Sequence, residues 1–311
     1  MELFISFVLL ALGFVMLVKG ADFFVDGASS IAGGLGIPQL VIGLTVVAMG
    51  TSAPEAAVSL TAAIKGNADI TLGNIVGSNI LNVLIILGLT AVIAPIAVTK
   101  TAARVDLPFM AVITLLLLLL GADGTVGLID GIILSAVFVL YLTYLFITAK
   151  KGKIADNTNV KKHKLWQSAL KTLIGLALII FGSDFAVDAA TAIAKTFGMS
   201  ERFIGLTIVA LGTSLPELFT SVSAARKGNA DIAVGNIIGS NIFNILFVVG
   251  VSALIVPVPF SSEFIADTII AAAAGALLLI CHMAGKGKVK RYGGGIMLIS
   301  YAAYFGFLCL R

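Results

Sequence analysis

The sequence predicts an all-α integral membrane protein with ten transmembrane helices, arranged as two five-helix repeats of inverted topology. Three observations predict it. Of 311 residues, 59% are hydrophobic and 12% charged, and the mean hydropathy is +1.12, whereas soluble globular chains are about one quarter charged. Apolar stretches recur along the whole length, most reaching the roughly 20 residues that cross a hydrocarbon core about 30 Å thick. Shifted by 162 residues, so that Gly43 falls on Gly205, the chain aligns with itself.

The stretches fall at about 2–20, 38–64, 69–96, 105–121, 125–149, 166–186, 200–225, 231–257, 264–284 and 291–310. The first, "MELFISFVLL", carries Glu2, has no basic residue ahead of its apolar run and is followed by no small-x-small cleavage site. It is expected to stay as a helix rather than leave as a signal peptide. Cys281 and Cys309 have neither metal-type nor redox-type spacing and are expected to be packing residues. The organisation that follows is a first repeat over 1–149, a linker over 150–165 and a second repeat over 166–311.

The repeat is dense. "GLTVVAMGTSAPE" (43–55) falls on "GLTIVALGTSLPE" (205–217), "KGNADI" (65–70) on "KGNADI" (227–232), and "GNIVGSNILN" (73–82) on "GNIIGSNIFN" (235–244). Between Gly43 and Asn82 the copies agree at 27 of 40 positions without a gap. "GADFFVDGA" (20–28) has an echo in "GSDFAVDAA" (182–190). A unit of five spans is odd, so the second copy is expected to enter the bilayer from the opposite side, an arrangement common in secondary transporters and open to channels as well.

Charge distribution adds orientation. The segment "KKGKIADNTNVKKHK" (150–164) is the longest polar stretch and reads as a cytoplasmic loop of a cell-membrane protein. Ten spans then place both termini outside, and Lys100, Arg104, Arg226, Lys227, Lys286, Lys288, Lys290 and Arg291 inside. The opposite side keeps Lys65, Lys195, Arg202 and Arg311 with several acids, as the positive-inside rule expects. The formal charge of +4 thus marks topology, with the lipid bilayer as partner and no nucleic acid.

Most acidic residues fall at span ends or in loops: Asp69 and Asp231 resemble N-caps, and Asp22, Asp26, Asp184 and Asp188 follow the apolar parts of spans one and six. Glu55 and Glu217 are placed near mid-span. An ionisable group there costs a few kcal/mol and faces a protein or aqueous interior. Pro54 and Pro216 remove an amide donor and clash with the carbonyls of Gly50 and Gly212, which are then free to point at a cation. Thr51 and Glu55 are four apart, as are Thr213 and Glu217. On the following spans Asn74, Ser78 and Asn82, and Asn236, Ser240 and Asn244, form stripes of the same spacing. Beside them Gly73 and Gly77, and Gly235 and Gly239, supply small-xxx-small contact faces. The set is all oxygen and amide, with His163 and His282 outside it, which suits hard inorganic cations and calcium before zinc or copper. No nucleophile stands with a base, so an intramembrane enzyme is not expected, and no cofactor is implied.

"GTSxPE" with "GNxxGSN", each present twice, resembles the paired α-repeats of the cation/Ca²⁺ antiporter superfamily, most closely a prokaryotic sodium/calcium exchanger. The resemblance covers essentially the whole chain. It implies alternating access, with Ca²⁺ exported against entering Na⁺. It implies Ca²⁺ at Glu55 and Glu217 with the backbone carbonyls of Thr51 and Thr213. It implies one Na⁺ site at Ala48, Thr51, Glu55 and Ser78, and its mirror at Ala210, Thr213, Glu217 and Ser240. Asn74, Asn82, Asn236 and Asn244 are expected to line the centre. Structurally known relatives carry an Asn and an Asp at the positions of Asn82 and Asn244, so this chain has one carboxylate fewer. H⁺/Ca²⁺ exchange and a passive cation channel stand as alternative functions.

Overall fold

The structure is a computed structural model that describes residues 2–65, 68–151, 164–198 and 210–310. Within these, helices α1 (Glu2–Leu35), α2 (Gln39–Thr51), α3 (Ala53–Ile64), α4 (69–93), α5 (Ala102–Asp123) and α6 (Leu128–Lys151) build the first half. Helices α7 (Leu165–Thr196), α8 (Ala210–Thr213), α9 (Leu215–Arg226), α10 (Ala230–Ile255), α11 (Ser262–Ala284) and α12 (Arg291–Leu310) build the second. Among the described residues eight helices are long and apolar enough to cross a membrane, or nine when the bent pair α2 and α3 is taken as one span. The expected seventh span begins at residues 200–209, which lie outside the described residues, as do Arg202, His163 and most of the 150–164 loop.

Two helices are longer than their apolar runs suggest. α1 continues to Leu35 and α7 to Thr196, although spans ending near 20 and 186 were expected. At 1.5 Å per residue, the 34 residues of α1 reach about 51 Å. In α1 the acids that seemed to end the span are instead satisfied from the side: Lys171 and Lys227 donate to Asp26 at 2.9 and 2.6 Å, and Ser223 donates to Asp22 at 2.7 Å. Ion pairs between helices let the helix run on through its polar residues.

α1 packs along α7, its copy in the repeat, and the glycines fix the crossing. A Cβ on Gly13 would meet Gly182, one on Gly20 would meet Gly175, and one on Gly27 would meet Ser168 and Thr172. This order makes the pair antiparallel. The backbones approach so closely that a Cβ on Gly175 would collide with the amide nitrogen of Phe24. Small residues are the means by which membrane helices gain dispersion contact where no hydrophobic drive exists between them. Leu17, Phe24 and Ile179 fill the seam.

Elsewhere α4 and α10 form the centre, with 78% and 83% of their most apolar windows buried against 17–39% for the other long helices. Past their first turns they carry no charged residue, because they are packed against protein over most of their surface. Two short antiparallel ribbons tie the ends: β1 (Ile96–Ala97) pairs with β4 (Lys288–Val289), and β2 (Thr125–Val126) with β3 (Val258–Pro259).

Several local expectations are corrected. Asp69 opens α4 and Asp231 is the second residue of α10, while the capping positions are Ala68 and Asn229. Cys281 is buried as expected, but Cys309 is exposed near the end of α12. Asp106 is a third buried carboxylate, 1% exposed at the start of α5, and Tyr141 donates to it at 3.3 Å.

Candidate functional site

The "GTSxPE" hexapeptides form helix breaks. Ser52 leaves helical geometry (φ −83°, ψ 7°), Pro54 sits in the first turn of α3, and α2 and α3 meet at 51°. Ser214 does the same before α9, with φ −92° and ψ 3°. Proline in a first turn loses nothing, since its missing amide would have no partner there. Each break therefore starts a new helix, with Glu55 or Glu217 in its first turn.

The breaks face one another. Ser52 Oγ donates to Glu217 Oε1 at 2.8 Å, and Ser214 Oγ donates to Glu55 Oε1 at 3.2 Å. The serine of each hexapeptide thus holds the glutamate of the other. All four residues are at most 1% exposed. In each glutamate the second oxygen, Oε2, is buried with no donor among the described residues. Ser240 Oγ lies 3.5 Å from both Glu217 Oε1 and the Ala48 carbonyl.

The asparagine stripes split into two roles. Asn74 Nδ2 donates to Ser59 Oγ at 2.9 Å and to the Glu55 carbonyl at 3.3 Å; Asn236 Nδ2 donates to Ser221 Oγ at 3.0 Å and to the Glu217 carbonyl at 3.4 Å. These two brace the helices that carry the glutamates. Asn82 and Asn244 each open a π-helical turn, over Asn82–Leu87 and Asn244–Val249. The extra residue in such a turn displaces the side chains around it, and π turns are frequent at functional sites. Asn82 Nδ2 donates to Asn241 Oδ1 at 3.0 Å and Asn244 Nδ2 to Asn79 Oδ1 at 3.1 Å, while Asn79 and Asn241 donate to each other's carbonyls at 3.2 and 3.1 Å. The amides are spent on this ring, and the Oδ1 atoms of Asn82 and Asn244 are buried without a donor among the described residues.

Four buried acceptors from the two halves, two carboxylate and two amide, therefore lack protons to accept. An unsatisfied buried polar atom costs about 1–3 kcal/mol. A hard cation that takes oxygen ligands, or protons on the carboxylates, would relieve that cost.

The remaining expected ligands have the following partners. Thr51 Oγ1 lies 2.9 Å from Asn236 Oδ1 and 3.1 Å from the Val47 carbonyl, so its hydroxyl bridges to the other half, because the break at Ser52 ends its helix before Glu55. The carbonyl of Gly212, expected to be free, accepts a hydrogen bond from Ser183 Oγ at 2.7 Å. The Ala48 carbonyl accepts the Ser52 amide at 3.0 Å. Thr213 Oγ1 is buried without a partner among the described residues, Ser78 is buried, and Ala210 opens α8. Ser52, Ser214, Asn79 and Asn241 escaped the sequence reading. Their repetition in both halves was the available signal, but spacing along one helix could not show that they act across the halves.

Close packing keeps the site together. A Cβ on Gly239 would lie 2.6 Å from the Leu44 carbonyl and 2.7 Å from the Ala48 side chain, so α10 presses directly on α2.

The family model described as "Sodium/calcium exchanger protein" matches the chain twice, over residues 5–147 and 168–310. A putative antiporter, CaxA of Alkalimonas amylolytica, is 40% identical over 96% of this chain and 97% of its own length. The sodium/calcium exchanger MaX1 of Methanosarcina acetivorans is 33% identical over 96% of this chain and 97% of its own. Among solved structures, the sodium-calcium exchanger NCX_Mj soaked with zero Na⁺ and Ca²⁺ superposes with a TM-score of 0.86 at 32% identity, covering 98% of this chain and 99% of that one. With a buried oxygen-lined site shared between its two homologous halves, and with likeness over nearly its whole length, the chain belongs to the sodium/calcium exchanger family, whose members are transporters and not enzymes.

Proposed function

We propose that the chain exports Ca²⁺ across a cell membrane in exchange for Na⁺, by alternating access at a site held by Glu55 and Glu217. The reciprocal bonding of Ser52 to Glu217 and Ser214 to Glu55, which leaves one oxygen of each glutamate unpaired, carries this reading. Two ionised glutamates balance one divalent ion. Sodium would have to fill several subsites to do the same, and both cargoes together would leave like charges in a low-dielectric space. Mutual exclusion is what exchange requires. A ratio of three Na⁺ to one Ca²⁺ would move one net charge per cycle, worth about 2.3 kcal/mol per 100 mV.

The ten-helix, inverted arrangement belongs to this proposal, with repeats over 1–149 and 166–311 joined by a cytoplasmic 150–165 linker and both termini outside. The antiparallel packing of α1 on its copy α7 supports it. Sodium subsites at Ala48, Thr51, Glu55 and Ser78, and at Ala210, Thr213, Glu217 and Ser240, are proposed on the family resemblance. Proton coupling is the second reading, favoured by the two donor-less carboxylate oxygens and by amides at both 82 and 244.

Uptake of ⁴⁵Ca²⁺ into proteoliposomes tests these. We expect uptake to require an outward Na⁺ gradient and to ignore a pH gradient. Dependence on the pH gradient alone would favour proton exchange, and calcium flux with no counter-ion would favour a channel.

A further inference from the structure

Away from the ion site, one face of the α1–α7 pair carries a polar cavity of about 280 Å³ lined by Asp26, Gly27, Ser30, Gln167, Ser168 and Lys171. It is too large for one water, whose share of the liquid is about 30 Å³. Adjoining it, and sharing Gln167 and Lys171, is an apolar groove of about 250 Å³ built on Phe23, Trp166, Leu170 and Ile174. Lys171 joins the two: its ammonium lies 2.9 Å from Asp26 Oδ2 and 5.6 Å from the centre of the Phe23 ring.

The duplicated sequence shows that this polar lining is particular to one copy of the repeat. At the 162-residue shift Ser30 corresponds to Ala192, Gln167 to Ile5 and Lys171 to Leu9, whereas Asp26 corresponds to Asp188. The other copy keeps the acid and replaces the lysine, the amide and a hydroxyl with apolar groups. Helix packing and ion exchange apply to both copies, so neither explains the difference.

Depth in the bilayer and charge identify the occupant. α7 begins at Leu165, so Trp166 stands at its end and Lys171 about 9 Å further along. Tryptophan and lysine at such a position mark the boundary between headgroups and acyl chains. The groove faces outward on helices long and apolar enough to span a membrane, with Trp166 62% and Leu170 49% exposed, a surface suited to an acyl chain. The cavity lining holds one cation and one anion, Lys171 and Asp26, which are paired with each other, and Lys227 pairs with the same Asp26 from outside the lining at 2.6 Å. A net-anionic headgroup would set its charge against Asp26, and a choline has no N–H to donate. A headgroup with both a phosphate and a primary ammonium meets both: phosphate on Lys171 with the Gln167 amide, ammonium on Asp26.

We propose that this cavity and groove bind one phosphatidylethanolamine, headgroup in the cavity and acyl chain along Phe23, Trp166 and Ile174. The inference depends only on the helices spanning a membrane and not on which ions are exchanged.

Native mass spectrometry of the full chain, offered phosphatidylethanolamine, phosphatidylglycerol and phosphatidylcholine at equal concentration, tests it. The expected result is one phosphatidylethanolamine per chain, retained about tenfold over the other two, the effect of one charge-assisted hydrogen bond. Lys171→Leu, which installs the residue of the other copy, should abolish that preference. Because it also breaks an ion pair, the double variant Ser30→Ala/Gln167→Ile serves as the second probe: it leaves the Lys171 and Lys227 pairs to Asp26 in place and should lower the preference several-fold. Equal retention of the three lipids, preference for phosphatidylglycerol, or a preference unchanged in both variants would each overturn the proposal.

Discussion

Replacing Glu217 with Gln isolates charge from shape. The amide oxygen can take the place of Oε1 and still accept the Ser52 hydroxyl, which stands 2.8 Å from it. The amide nitrogen then occupies the position of Oε2, the atom that has no donor. What is lost is one negative charge toward the ion, and what is added is an NH₂ group facing other acceptors. At an effective dielectric of about 20, a divalent ion about 4 Å from a unit charge gains roughly 8 kcal/mol. Much of this offsets the ion's own dehydration, so a net loss near half, about 4 kcal/mol, is expected, or about a thousandfold in Ca²⁺ affinity. Glu55→Gln should behave alike, since Ser214 holds Glu55 in the same way. The assay is ⁴⁵Ca²⁺ uptake into Na⁺-loaded proteoliposomes, paired with equilibrium ⁴⁵Ca²⁺ binding to purified protein. Uptake and binding within threefold of the parent chain in either variant would refute the two-carboxylate site.

Asn241→Ala removes its bond to the Asn79 carbonyl and strands the amide of Asn82; we expect about 2–4 kcal/mol lower stability in detergent, read by denaturant unfolding. Asn244→Asp puts a carboxylate where a buried amide oxygen has no donor among the described residues, and the cation or pH dependence of uptake should shift; an unchanged profile would remove this position from the centre of the site. Gly239→Ala meets the Leu44 carbonyl at 2.6 Å, so it should push α2 from α10 and reduce calcium uptake by tenfold or more while expression persists. Gly175→Ala, crowding Phe24 in the α1–α7 seam, should cost about 1–3 kcal/mol of stability, whereas Gly295→Ala, inside α12 with no described atom within 4 Å of its Cβ, should lose no stability in the same unfolding measurement.

Hydropathy and the internal repeat marked most of the helices and the two breaks, because a buried charge and a proline stand out in an apolar run whatever surrounds them. The ends of α1 and α7 were not legible: Asp22 and Asp26 read as the end of a span until Lys171 and Lys227, far away in sequence, are seen to neutralise them. The burial of Asp106 was not legible for a related reason, since Tyr141, which donates to it, lies on another helix.

The site divides along the same line. Its members Glu55, Glu217, Asn82 and Asn244 were visible from one strand of text, because each is a polar residue at a position where lipid would exclude it unless protein covered it. Their pairing was not. Local spacing of four placed Thr51 with Glu55, but the bend at Ser52 gives Glu55 to Ser214 and Thr51 to Asn236, both in the other half. A hydrogen bond depends on position in space to within a few tenths of an ångström, and sequence fixes position only within one unbroken helix. The sequence by itself determined that two carboxylates would be buried and that everything around them would occur twice. Only the tertiary packing, glycine against backbone at Gly13, Gly20, Gly235 and Gly239, decided that each copy completes the other.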